Sequence, residues 1–274
     1  MRRRLRYGVQ GLISSPASIL NKTNFYHIHE SHPAPVGVAL VLYHLYAMTP
    51  SVLRLLPFFI LSALHLVGEM MHYEHLIVWT KPLLMPSLIF WWWHISRDRA
   101  MAVRQGIVAA LSFSTAGDIL LMQASQYAHY FLLGLGAFLI AHIFYIRTFL
   151  RVLNRREGYL SGRWWMAAPF ALYLALLLWM LWAGIPMAMK GAVVVYALVI
   201  TTMALLALQV RPYMEYASAI WLFLGAVLFV LSDSMIAINK FGHPFDAARV
   251  AIMSTYIIGQ YAIARGSLGF EAAR

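Results

Sequence analysis

Apolar residues run through this chain in blocks of about 20, the length a helix needs to cross the hydrocarbon core of a bilayer. Eight blocks qualify, at residues 53–70, 76–95, 105–122, 127–150, 164–185, 187–208, 216–238 and 245–264. A further run, VGVALVLYHLYAM (36–48), is too short to span and is assigned to the membrane interface. Connections are short, and no stretch has the make-up of a soluble domain. The pattern predicts an all-α integral membrane bundle of eight transmembrane helices over residues 51–266. An N-terminal cytoplasmic or interfacial extension (1–50) precedes it, and a short cytoplasmic tail (267–274) follows.

Composition agrees with that reading. Hydrophobic residues make up 62% of the 274 and charged residues only 11%, whereas soluble domains carry about a quarter charged. So few charges could not cover a soluble surface of this size. The net charge of +11 would suggest nucleic acid in a soluble protein; here it is topological, because cytoplasmic loops retain Lys and Arg. With the N-terminus inside, only Lys81, Lys190, Lys240 and Arg249 of the 21 basic residues fall outside, which leaves 17 within. Both termini are therefore expected in the cytoplasm, with an even number of spans. No cysteine is present, which excludes disulfides and cysteine nucleophiles. No cleavable signal peptide is evident, since MRRRLRYGVQGLISSP is basic without a long apolar core behind it.

In such a bundle the backbone satisfies itself, so polar side chains at membrane depth mark where chemistry can occur. Asp118, in ALSFSTAGDILLM, and Asp233, in AVLFVLSDSMIAI, both fall inside apolar runs. Counting from the run ends at 1.5 Å per residue, both lie roughly 6–8 Å below the outer boundary, with Lys81 at a similar level. Gly117 and Ser232, each just before an aspartate, allow a neighbouring helix to approach closely. Ser114, one turn before Asp118, is placed to hydrogen-bond it. His142 with Tyr145, and Tyr256 with Gln260, form pairs on single helix faces at greater depth. A metal held by Asp118, Asp233 and His142 is disfavoured by that difference in depth. No nucleophile elbow, zinc helix motif, Walker loop or dinucleotide fingerprint occurs.

The segments TKPLLMPSLIF (80–90), FSTAGDILLM (113–122), GLGAFLIAHIFYI (134–146), GAVLFVLSDSMIAINKF (225–241) and STYIIGQYAIARG (254–266) resemble, in order and spacing, the YhhN family of multi-pass membrane proteins. That family includes the lysoplasmalogenases. The resemblance covers about residues 55–266 and leaves the first 50 outside. It implies hydrolysis of the vinyl ether bond of lysoplasmalogens to a fatty aldehyde and glycerophosphoethanolamine or glycerophosphocholine. It also maps the family's two acidic positions onto Asp118 and Asp233, and its Lys-Pro, His and Tyr/Gln positions onto Lys81, Pro82, His142, Tyr256 and Gln260.

Two carboxyls facing one cavity suit this reaction, because the vinyl ether needs an acid at its β-carbon and a partner for the oxocarbenium ion and water. The expected catalytic residues are Asp118 and Asp233. The expected substrate-binding residues are Lys81, His142, Tyr145, Tyr256, Gln260 and Ser114, with no metal and no cofactor. The expected partners are a lysophospholipid and the bilayer, with no nucleic acid. The residues leave rival readings open: a cation-coupled transporter, a structural or lipid-binding protein without turnover, and a metal-dependent lipid hydrolase. The Asp-bearing runs contain no proline, which argues against the broken helices of transporters. Short loops point to a bacterial inner membrane, otherwise the endoplasmic reticulum; oligomeric state is not encoded in any pattern here.

Overall fold

The structure, a computed structural model, describes residues 36–127, 129–154 and 157–270, with side chains described from Val52 onward, Ser125 apart. The expected extension up to residue 35 and the tail 271–274 lie outside the described residues. The chain divides into two units, 1–50 and 51–274, and all contacts below lie within the second.

Every apolar run is helical. The helices are α1 (Val36–Met71), α2 (Glu74–Ile95), α3 (Met101–Met122), α4 (His129–Leu153), α5 (Ala168–Leu181), α6 (Met187–Gln209), α7 (Tyr216–Phe241) and α8 (Ala248–Ser267). Residues 36–48, expected as a separate interfacial run, belong to α1. Single 3₁₀ turns precede α5 and follow α3 and α6. Among the described residues there is no strand, only an isolated bridge between Met214 and Phe270. Six segments are long and apolar enough to cross a membrane: Val52–Met71, Met101–Met122, His129–Leu153, Trp164–Leu181, Met187–Gln209 and Tyr216–Phe241. The other two helices, α2 and α8, are less apolar.

The reason lies in how the helices pack. α2, α3, α4, α6, α7 and α8 touch in that order, and α8 returns to α2, so six helices close a ring. Trp92 helps shut it: its indole N–H lies 2.9 Å from both the Ala264 carbonyl and Ser267 Oγ on α8. Polar side chains on α2 and α8 can turn into this ring and away from lipid. α5 stands outside it against α6 and α7, with Leu181 its only buried residue.

α7 and α8 approach at backbone distance. A Cβ on Gly225 would lie 2.5 Å from the Ile263 nitrogen, and one on Gly266 would lie 2.3 Å from the Leu222 nitrogen. Small residues permit this approach, which in lipid replaces hydrophobic burial as the source of packing energy. Phe229 and Leu222 of α7 are completely buried. Gly225→Val should therefore force the two helices apart and cost roughly 1–3 kcal/mol, read as a lower unfolding midpoint in detergent. Gly136→Ala, where an added Cβ meets nothing within 4 Å, should leave that midpoint unchanged or raise it.

Candidate functional site

α3 carries Asp118 into the ring, where only 3% of it remains exposed. Gly117 makes room: a Cβ there would lie 2.6 Å from the Phe138 ring of α4. The Tyr256 hydroxyl of α8 donates to Asp118 Oδ2 at 2.7 Å. One turn deeper, Tyr145 of α4 donates to Gln260 Oε1 at 2.7 Å, and Gln260 Nε2 donates to Ser114 Oγ at 3.0 Å. Ser114 thus receives the Gln260 amide, where the helix register alone suggested a bond to Asp118. These groups are fully buried, and together they tie α3, α4 and α8.

α7 carries Asp233, which is half-buried and accepts a short hydrogen bond from the Tyr196 hydroxyl of α6. Its neighbour Ser232 donates to the Ile252 carbonyl of α8 at 3.0 Å, so the small residue here serves a helix contact too. Phe138, Phe229, Tyr256, His142 and Tyr196 join the two carboxyl sites. Phe229 lies 5.5 Å from Tyr256 and 4.7 Å from His142, and the His142 ring meets Tyr196 edge-on at 5.5 Å. The His142 ring lies near the Phe138 carbonyl one turn back, but neither nitrogen has a partner at hydrogen-bond geometry. Asp118 interacts electrostatically with Lys81 and with Asp233.

The end of α7 differs from the run end counted on the sequence. α7 continues to Phe241, so Asp233 sits eight residues from its end, whereas Asp118 sits four from the end of α3. His142, expected below the aspartates, is beside the tyrosine that binds one of them.

A cavity of about 680 Å³, counted out to its mouth, reaches Asp233 from the α5 side. Its walls are almost entirely apolar; Tyr196, Asp233 and Ser234 supply the polar atoms, and Leu121 and Phe138 lie on the Asp118 side. Asp118, Lys81, His142, Tyr145, Tyr256, Gln260 and Ser114 do not line it. One acid thus faces the cavity and the other is sealed behind Phe138. Among the described residues no three His, Cys, Asp or Glu gather as a metal-binding group.

The YhhN family profile matches residues 76–267. The chain belongs to the YhhN family. It is 34% identical over 165 residues to "Lysoplasmalogenase TMEM86A" of Homo sapiens, covering 58% of this chain and 63% of that one. It is 35% identical over 167 residues to "Lysoplasmalogenase" of Mycobacterium bovis, covering 60% of each. "Lysoplasmalogenase TMEM86B" of Sus scrofa is 33% identical over 154 residues, covering 56% of this chain and 59% of that one. The chain therefore spans about 60% of the length of the curated relatives it matches. No solved structure matches it. With its apolar helices, this YhhN-family chain is an integral membrane protein.

Two features of this YhhN-family bundle escaped the sequence reading. Tyr196 was one tyrosine among 15; the usable signal was that a phenol inside an apolar run needs a partner for its hydroxyl. The other is a chain of polar groups on α1, α2 and α8. Thr80 Oγ1 lies 2.7 Å from the Leu76 carbonyl and 2.9 Å from His65 Nδ1. His65 Nε2 is 3.4 Å from Glu69 Oε1, and Glu69 Oε2 accepts from Arg249 Nε at 2.6 Å. Arg249 also bonds Glu74 at 2.9 Å. Histidine and glutamate four apart inside the first apolar run were the available clue.

Gln260 joins one donor and one acceptor from other helices, so Gln260→Leu should strand the Tyr145 and Ser114 hydroxyls and cost roughly 1–3 kcal/mol. Adding Tyr145→Phe and Ser114→Ala should recover most of that loss, since no buried polar group is then left unpaired. Unfolding midpoints of the single and triple variants in detergent check this.

Proposed function

We propose that this protein is a lysoplasmalogenase-type ether hydrolase, cleaving the vinyl ether of lysoplasmenylethanolamine or -choline to a fatty aldehyde and the glycerophospho-alcohol. The observation carrying this reading is an aspartate opening onto an apolar cavity, with a second aspartate on another helix linked to it through packed aromatic side chains. The matched relatives named lysoplasmalogenase support it.

In the proposed reaction Asp233 gives its proton to the β-carbon of R–CH=CH–O–R′, and the π electrons form the new C–H bond. The resulting cation, R–CH₂–CH=O⁺–R′, is stabilised by the negative charge of the carboxylates. Water in the cavity adds to the α-carbon, and its proton returns to Asp233. The hemiacetal then collapses to R–CH₂–CHO and HO–R′. Tyr196 holds one Asp233 oxygen, which leaves the other to carry the proton. Asp118, held by Tyr256 and beside the Lys81 charge, faces the cation from behind Phe138. His142 packs on Tyr196 and, with Tyr145, Gln260 and Ser114, fixes the positions of these groups. A carboxyl acting as acid and another as charge partner parallels glycoside hydrolysis, whose transition state is also an oxocarbenium ion.

The same proposal includes eight spans with both termini cytoplasmic, in a bacterial inner membrane. The bias of basic residues to one side supports the topology, and the closed ring supports counting α2 and α8 as spans, with Tyr256 and Gln260 of α8 buried within the bundle.

Purified protein in detergent should release aldehyde from a lysoplasmalogen and no fatty acid from the matched ester lysolipid, with no ion gradient present. Asp118→Asn and Asp233→Asn should each lower turnover by about 10²-fold or more, the usual scale of acid–base catalysis. Tyr196→Phe should lower it less. Undiminished aldehyde release by both folded asparagine variants would refute the scheme.

A further inference from the structure

The cavity at Asp233 has two lysines near one end, outside its wall, and a continuation at the other. At one end α4 and α6 begin and α5 and α7 finish, with Phe131, Leu181, Val193 and Phe241 in its wall. Lys240 stands there on the last turn of α7, seven residues beyond Asp233 and so two turns along the same helix face, about 10.5 Å of rise. Its Nζ lies 5.2 Å from the centre of the Phe131 ring. Lys190, on the first turn of α6, has its Nζ 4.6 Å from the centre of the Trp182 ring, next to Leu181. Among the described residues neither lysine has a carboxylate within ion-pair distance; the ion pairs found there all involve Glu69 or Glu74.

In the other direction a second apolar cavity, about 610 Å³ to its mouth, lies between α5, α6 and α7. Val230 lines both cavities. The Tyr173 hydroxyl, in the wall of the second, donates to Ser234 Oγ, in the wall of the first, at 2.7 Å. Phe170, Thr201, Ala204 and Val227 line the far side.

Unpaired cations, an acid and a hydrocarbon-lined slot thus follow one another along one seam. We infer that the lysophospholipid lies along it, its phosphate between Lys240 and Lys190 and its alkenyl chain beneath α5 in the second cavity, with the Tyr173–Ser234 bond opening to admit it. This rests on the ether hydrolase reading. The lengths agree: seven bonds separate the phosphorus from the β-carbon, roughly 8 Å in an extended chain, close to the rise between Asp233 and Lys240. Lysine suits such a site because it meets phosphate as a point charge. The assignment moves the phosphate away from Lys81, whose charge acts on Asp118 and His65.

The test uses a binding probe that cannot be hydrolysed, a 1-O-alkyl lysophosphoethanolamine with a diazirine at the chain terminus, on the purified full-length protein. Photolabelling should fall on peptides holding 169–173, 201–204 and 227–231, and excess unlabelled 1-O-alkyl lysophosphoethanolamine should suppress it. Val227→Trp should move the label out of this set, and Phe170→Ala should keep it there. The double variant K190Q/K240Q should bind the probe about tenfold more weakly, while a 1-O-alkyl glycerol probe without phosphate binds both proteins alike. Label scattered over lipid-facing helices and unaffected by competitor overturns the chain assignment. Equal loss of both probes, or of neither, in K190Q/K240Q overturns the phosphate assignment. Seam labelling without any aldehyde release from the vinyl ether would instead count against the hydrolase reading alone.

Discussion

An aspartate inside an apolar bundle is tolerated only if another helix supplies it with a hydrogen bond, and much of this architecture answers that requirement. Asp118 on α3 is met by Tyr256 of α8, and Asp233 on α7 by Tyr196 of α6. A phenol is a fitting donor, since its ring packs like any apolar side chain while its hydroxyl reaches the carboxylate. The bonds also dictate neighbours. Gly117 must be small because the ring of Phe138 stands where its Cβ would be. Gly225 and Gly266 let α8 come close enough to α7 to hold Tyr256 in place.

The two tyrosine–aspartate pairs are alike in chemistry and unlike in access. Asp118 is sealed, beside the Lys81 charge, and backed by the Tyr145–Gln260–Ser114 network. Asp233 opens to a cavity walled by leucine, isoleucine and phenylalanine. A low-polarity surrounding strengthens the field of a charge, so in the proposed reaction the sealed carboxyl acts on a cation it never touches, while the open one exchanges protons with substrate. Division of labour by environment is how chemically identical acids come to differ in role.

The sequence made the helices easy to find, because apolar run length is set by bilayer thickness and each of the eight runs became a helix. Their grouping was not legible. Nothing in the runs themselves announces that α2, α3, α4, α6, α7 and α8 close a ring with α5 outside it. The aspartates stood out because charge is rare at depth. Tyr196 did not, because tyrosine is also abundant at membrane interfaces and its meaning depends on what faces it across the bundle. Ser114 showed the same limit in reverse: spacing put it within reach of Asp118, but the amide of Gln260, from a helix distant in sequence, claimed its oxygen. Local periodicity predicts what a residue can reach on its own helix and is silent on competitors from elsewhere.

That limit also explains why hydropathy separates α2 and α8 from the other helices. A helix that contributes Thr80, Lys81 and Glu74, or Arg249, Tyr256 and Gln260, must lose mean hydropathy, and in lipid such residues would be expelled toward the interface. Here many of them are satisfied in pairs across the bundle: His65 with Thr80, Arg249 with Glu69 and Glu74, Gln260 with Tyr145 and Ser114. Removing one member leaves a buried polar group without water to replace it, a cost larger than the bond's own net contribution. The helices least suited to lipid by composition are thus bound to their neighbours by their polarity, and their inward faces provide the fixed donors around Asp118.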